Sequence, residues 1–181
     1  PDHGESVVFS CMYAYNMADM CTFLKELRKK RDSVTVMKEL VLLFDTIKDP
    51  VDYDDYKAKQ KRLSQYFDAI ERVSGNFVSI PIDNLICDLQ SKACHMSKWI
   101  SQREWLKEGF FNGYYDNKAG RVEGTHSGRV TMMLAPQVFA IMSGVADDKQ
   151  IRRAWNSIRK HLKDHSLGGF RLNTDLKQPA L

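Results

Sequence analysis

Apolar residues recur along this chain mostly at helical spacing, and in one stretch they are almost continuous. From Val7 to Leu24, in V-V-F-S-C-M-Y-A-Y-N-M-A-D-M-C-T-F-L, they cover nearly the whole helical circumference, which predicts an inner helix buried on all sides. Val36, Met37, Leu40, Val41, Leu43, Phe44 and Ile47 then predict an amphipathic helix over 34–47, ended by Asp49-Pro50. A more polar stretch over 52–73 predicts an outer helix facing water, and Ser74-Gly75 breaks it. Asn76 to Pro81 is too short for more than an extended connector. Asp83 can cap the next helix, whose buried face runs from Leu85 to about Leu106.

The character changes at F-F-N-G-Y-Y-D-N-K-A-G-R-V-E-G, residues 110–124, where aromatics flank a turn rich in Gly, Asn and Asp. This predicts a short hairpin or functional loop around residues 110–130. Pro136 opens a second inner helix that ends at Gly144, and 150–162 is an amphipathic outer helix. The fold class expected is therefore all-α, with inner and outer helices alternating as part of a helical toroid.

Composition adds limits. The 181 residues are 43% hydrophobic and 28% charged, the balance of a globular chain, so one domain with a real core is expected. The net charge of +4 is spread through runs that also contain acids, which argues against a nucleic-acid surface. No apolar run approaches the roughly 18 to 20 residues of a membrane span, so no membrane partner is expected. Cys11, Cys21, Cys87 and Cys94 sit in apolar helical patterns without a C-x-x-C pair. They are read as buried thiols of a cytoplasmic protein, with no metal site.

Three stretches together carry a resemblance. Gly4-Glu5-Ser6-Val7, then Tyr114-Tyr115-Asp116-Asn117 leading through Pro136-Gln137 to Ser143-Gly144-Val145-Ala146, and then Gly168-Gly169-Phe170-Arg171-Leu172-Asn173-Thr174 resemble the inverting phosphorylases of glycoside hydrolase family 94. That family includes the cellobiose, cellodextrin and 1,2-β-oligoglucan phosphorylases. The resemblance implies an (α/α)6 barrel, an inner ring of helices wrapped by an outer one. It implies reversible phosphorolysis of β-linked gluco-oligosaccharides to α-glucose 1-phosphate, with inorganic phosphate as co-substrate and no cofactor. It places the family's catalytic acid, an Asp, upstream of Pro1, and its phosphate-binding residues beyond Leu181. Residues 1–181 are thus expected to form part of a catalytic domain, inert alone, whose partners are the rest of a parent chain, a β-linked oligosaccharide, phosphate and a second copy in a homodimer.

Within the chain, Tyr114 and Tyr115 are candidates to stack on sugar faces, and Asp116, Asn117, Gln137 and Glu5 to hydrogen-bond hydroxyls. A plainer account of the same residues is turn geometry for Asp116 and Asn117, packing for the tyrosines and a helix-capping or bracing carboxylate for Glu5. His3 lies nearest the expected centre, and an exposed terminal histidine is its plainer account. The rival reading of the whole chain is a helical interaction or sugar-binding module without catalysis.

Overall fold

A computed structural model describes residues 5–45, 47 and 49–174. His3 and Gly4 lie outside the described residues. The chain mixes helix and sheet, and the described residues form no helical barrel, so the all-α expectation is corrected. In chain order the elements are β1 (Glu5–Ser6), α1 (Val7–Arg28), β2 (Ser33–Met37), a 3-10 turn (Lys38–Leu43), α2 (Tyr56–Ile70), β3 (Phe77–Pro81), α3 (Ile82–Arg103), β4 (Tyr114–Tyr115), β5 (Gly124–His126), β6 (Arg129–Thr131), α4 (Leu134–Met142) and α5 (Asp148–His161). They fall into two compact units, Pro1–Tyr15 with Met96–Leu181, and Asn16–His95.

In the unit Asn16–His95, the helix expected over 34–47 is a strand followed by a 3-10 turn. Ser33–Met37 pairs antiparallel with Phe77–Pro81, Val34 opposite Ile80 and Val36 opposite Val78. The reason is local: S-V-T-V-M alternates β-branched apolar and polar residues, so one face of the ladder can join Leu24, Ile82 and Leu85 in a core. The segment after it is pinned by Lys92, whose Nζ lies 2.7 Å from Asp88 and 3.0 Å from Asp45, while Tyr53 donates to Asp45 at 2.8 Å. Burial and the Asp45 carboxylate push the Tyr53 phenol well above its ordinary range. Helix α2 starts where Asp55 accepts from the N–H groups of Lys57 and Ala58, and it buries no residue, in keeping with an outer helix.

The other unit holds two small cores. Val7, Cys11, Ile100, Phe111, Ala140, Val145 and Ala146 form one, and Leu106, Phe110, Met132, Ile158 and Leu162 the other. Burial pushes the Cys11 thiol up to about 11, so it behaves as a small apolar side chain. Asp147 caps α5 in a reciprocal capping box with Gln150.

Two burial expectations are corrected. Helix α1 is not enclosed: Val7, Val8, Cys11, Ala14, Cys21 and Leu24 make a buried stripe, whereas Phe9, Tyr13 and Phe23 are 60%, 61% and 64% exposed. Of the four cysteines, Cys11 and Cys21 are buried and Cys87 and Cys94 exposed; all are free thiols. No helix among the described residues is long and apolar enough to cross a membrane.

Candidate functional site

The residues from Phe110 to Thr131 form two successive hairpins. In the first, Tyr115 faces Arg121 and the Val122 N–H donates to the Tyr114 carbonyl at 3.0 Å. Its tip is closed by Asp116, which accepts the N–H groups of Lys118 and Gly120, both at 2.8 Å. Those two donors hold the Asp116 carboxyl below its ordinary range. Ala119, at φ 59°, takes a left-handed conformation to let the chain return. The second hairpin, β5 with β6, turns at Ser127 and Gly128, both at positive φ, as a two-residue hairpin turn demands.

The first hairpin is fastened to the start of α1. Glu5 pairs with Tyr115 and Ser6 with Tyr114, and the Val7 N–H continues the ladder to the Gly113 carbonyl at 2.8 Å. Glu5, Tyr114, Tyr115, Asp116 and Asn117 therefore share one corner of this unit. Tyr114 and Tyr115 are half-buried, and Glu5, Asp116 and Asn117 are exposed. Gln137 belongs to the same corner but lies beneath it, fully buried. It accepts the Phe111 N–H at 2.8 Å and donates to the carbonyls of Phe111 at 2.8 Å and Met133 at 3.2 Å.

Under the hairpin lie two carboxylates that sequence reasoning missed. Glu104, with no exposed surface, accepts the Tyr115 hydroxyl at 2.8 and 3.0 Å and the Asn112 amide at 3.0 Å, and the Arg121 guanidinium stands 3.8 Å away. Burial, outweighing the Arg121 charge, raises the Tyr115 phenol above its ordinary value, and Glu104 as an acceptor adds to the rise. Glu123 is 1% exposed and takes the N–H groups of Gly113 and, at 2.9 Å, Met133. Its burial pushes its carboxyl up to about 7, against the pull of those donors. Both acids sit in segments whose spacing shows only turn and helix-end chemistry. Glu104 stands beside Trp105 and Glu123 between Val122 and Gly124, settings that suit exposure as well as burial.

The chain after α5 closes the corner. Asn173 faces Met133, the Leu134 N–H donates to the Leu172 carbonyl at 2.8 Å, and the Thr174 N–H to the Met132 carbonyl at 2.9 Å. Chemically, the arrangement offers the Tyr114 ring and the polar groups of Glu5, Asp116 and Asn117 on a braced surface, whereas the Tyr115 ring packs on the core around Phe111 with its hydroxyl on Glu104, which fits bracing and not the expected stacking. Glu123 is unsuited to deliver a proton to a ligand there, because both its oxygens are engaged with backbone and it has almost no open surface. Searched against models of protein families and against curated proteins, the chain matches none.

Proposed function

We propose that this chain is the substrate-facing part of a larger helical catalytic domain, of the (α/α)6 kind, in an enzyme that cleaves β-linked gluco-oligosaccharides by phosphate. The observation that carries the reading is convergence. The three stretches that resemble family 94 phosphorylases are far apart in sequence, yet β1 pairs with β4, Gln137 grips Phe111 and Asn173 faces Met133 in a single corner. Segments gathered this way, with their backbone groups satisfied by buried side chains, suit a rigid platform for a ligand.

In the proposed reaction a phosphate oxygen bonds to the anomeric carbon from the face opposite the scissile bond. As the glycosidic C–O bond breaks, an Asp outside this chain gives its proton to the leaving oxygen. Phosphate stands where an inverting hydrolase uses activated water, so one protein carboxyl suffices and α-glucose 1-phosphate results. Tyr114 would stack on a sugar ring, with Glu5, Asp116 and Asn117 at its hydroxyls. Gln137, Glu104 and Tyr115 would hold the platform.

A second reading draws on the exposed Phe9, Tyr13 and Phe23 of α1: a helical module that docks on another protein and has no catalytic role. Titrating the chain with β-linked gluco-oligosaccharides separates the two. The phosphorylase reading expects saturable binding that Tyr114→Ala weakens about tenfold, the scale of one lost aromatic contact. Absence of binding, or binding indifferent to Tyr114, favours the docking module.

A further inference from the structure

We propose that the outward side of α5, with the turn that follows it, is a docking surface for an anionic lipid membrane: Arg152 and Arg159 meet the headgroup charges and Leu167 enters the apolar layer. The surface lies outside the residues assigned to the sugar, so the inference does not rest on the phosphorolysis reading.

Charge is concentrated here, against the even spread expected from the sequence. From Lys149 to Lys163 the chain carries six lysines and arginines and no Asp or Glu, more than the net charge of +4 of the whole chain. Ala154, Ser157 and Ile158 face inward on α5, while Lys149, Arg152, Arg153, Arg159 and Lys160 are exposed. Arg153 is engaged, its guanidinium lying 5.5 Å over the Trp105 ring and donating to the Lys107 carbonyl at 3.4 Å. Arg152 donates to the Asp148 carbonyl at 3.2 Å, which leaves its charge unneutralised. Among the described residues, none of Lys149, Arg152, Arg159, Lys160 and Lys163 forms an ion pair. Their charge is open to an external anion.

Apolar side chains border these cations. Arg152, Trp155 and Arg159 follow one another at i, i+3 and i+7, so they share one side of the helix. The Trp155 ring, half exposed, lies 5.5 Å from that of Phe170. The contact arises because the chain folds back after α5: Lys163 faces Phe170, and the Arg171 N–H donates to the Leu162 carbonyl at 2.8 Å. In the turn between them Asp164 holds the N–H groups of Ser166 and Leu167, yet the Leu167 side chain is 85% exposed. A leucine fixed in place and uncovered offers nothing to the phosphates and bases of a nucleic acid. A lipid interface takes both kinds of group, cations at its headgroups and Trp, Phe and Leu just beneath them. Such docking needs no spanning run, and the lack of one was the ground for expecting no membrane partner.

Co-sedimentation of the 181-residue chain with lipid vesicles tests the proposal. Binding to phosphatidylcholine vesicles that contain about 30% phosphatidylserine should exceed binding to phosphatidylcholine alone by about tenfold or more, and should weaken as salt is added. The double change Arg152→Gln with Arg159→Gln should weaken it at least about tenfold, and Leu167→Ser about fivefold. All three side chains are exposed, so the circular dichroism spectrum should stay that of the wild type. Equal binding to the two kinds of vesicle, or binding unchanged in the double variant, overturns the proposal. So does tighter binding to a mixed-sequence DNA duplex that is indifferent to Leu167→Ser, a result that would assign this face to nucleic acid.

Discussion

Gln137 holds Phe111 by both of its backbone groups, accepting its N–H and donating to its carbonyl, each at 2.8 Å. The side chain is fully buried, so it takes the place of a strand neighbour on one edge of Phe111, whose other edge bridges to Trp105. Gln137→Leu keeps the volume but strands two polar groups away from water. We expect a loss of about 2 to 4 kcal/mol, measured by denaturant unfolding, because each unsatisfied buried group costs about 1 to 3 kcal/mol. Gln137→Glu should also destabilise, since a carboxylate cannot donate to the Phe111 carbonyl. A change below about 0.5 kcal/mol in both would show that Gln137 does not brace the loop.

Two backbone positions make opposite predictions in the same hairpin. Ala119 is a non-glycine at φ 59°, and glycine takes that conformation without strain. Ala119→Gly should be neutral or stabilising by up to about 1 kcal/mol, the relieved strain being partly offset by the more flexible unfolded chain. Gly113→Ala should cost about 1 to 3 kcal/mol, because its Cβ has to displace the ring of Pro136. Thermal unfolding of the pair gives the order directly.

Acid should loosen the segment after α5. The Asp164 carboxylate accepts the Ser166 hydroxyl at 2.6 Å, the N–H groups of Ser166 and Leu167, and the Arg171 guanidinium at 3.2 Å. The Ser166 hydroxyl leads these in holding the group well below the usual carboxylate range. Its contribution is therefore present above the ordinary carboxylate value and lost as pH falls below it. Exchange protection around 164–171 should fall on acidification, and Asp164→Asn should remove that dependence. An identical acid profile in the variant would contradict it.

Much of the helix content was legible from spacing. Helices α3, α4 and α5 lie within a few residues of where Leu85 to Ile100, Pro136 to Gly144 and Ile151 to Leu162 predict them. The strand at Ser33–Met37 was not, because its residues also fit a helical stripe running on to Ile47. Its partner at Phe77–Pro81 lies 40 residues away in the register Met37 to Phe77, a pairing that local periodicity cannot carry. At the proposed site, the motifs single out Glu5, Tyr114, Tyr115, Asp116 and Asn117, and the pairing of β1 with β4 brings these residues to one corner. Glu104 and Glu123 were missed because a buried acid and an exposed one look alike until the chain folds over them. For α1, composition exceeded what this chain covers: apolar residues occupy the whole circumference, and only the stripe from Val7 through Cys11 and Ala14 to Leu24 is buried.

That uncovered side of α1 predicts behaviour in solution. Phe9, Tyr13, Met20 and Phe23 are each at least half exposed, and Phe9 and Tyr13 are one turn apart. The isolated chain should bind a hydrophobic dye and self-associate with rising concentration. The double change Phe9→Ser with Phe23→Ser should reduce both, leaving the unfolding midpoint within a few degrees. Dye binding unaffected by these changes would move the sticky surface elsewhere.

The most direct test of the functional account is a phosphorolysis assay on the protein encoded by the complete gene, alongside the 181-residue chain. With a β-linked gluco-oligosaccharide, the account predicts α-glucose 1-phosphate that appears only when phosphate is present and falls about tenfold or more in Tyr114→Ala, with no turnover by the chain alone. Release of free glucose without phosphate, sustained turnover by the isolated chain, or no turnover by the complete protein on any β-linked glucoside would contradict it.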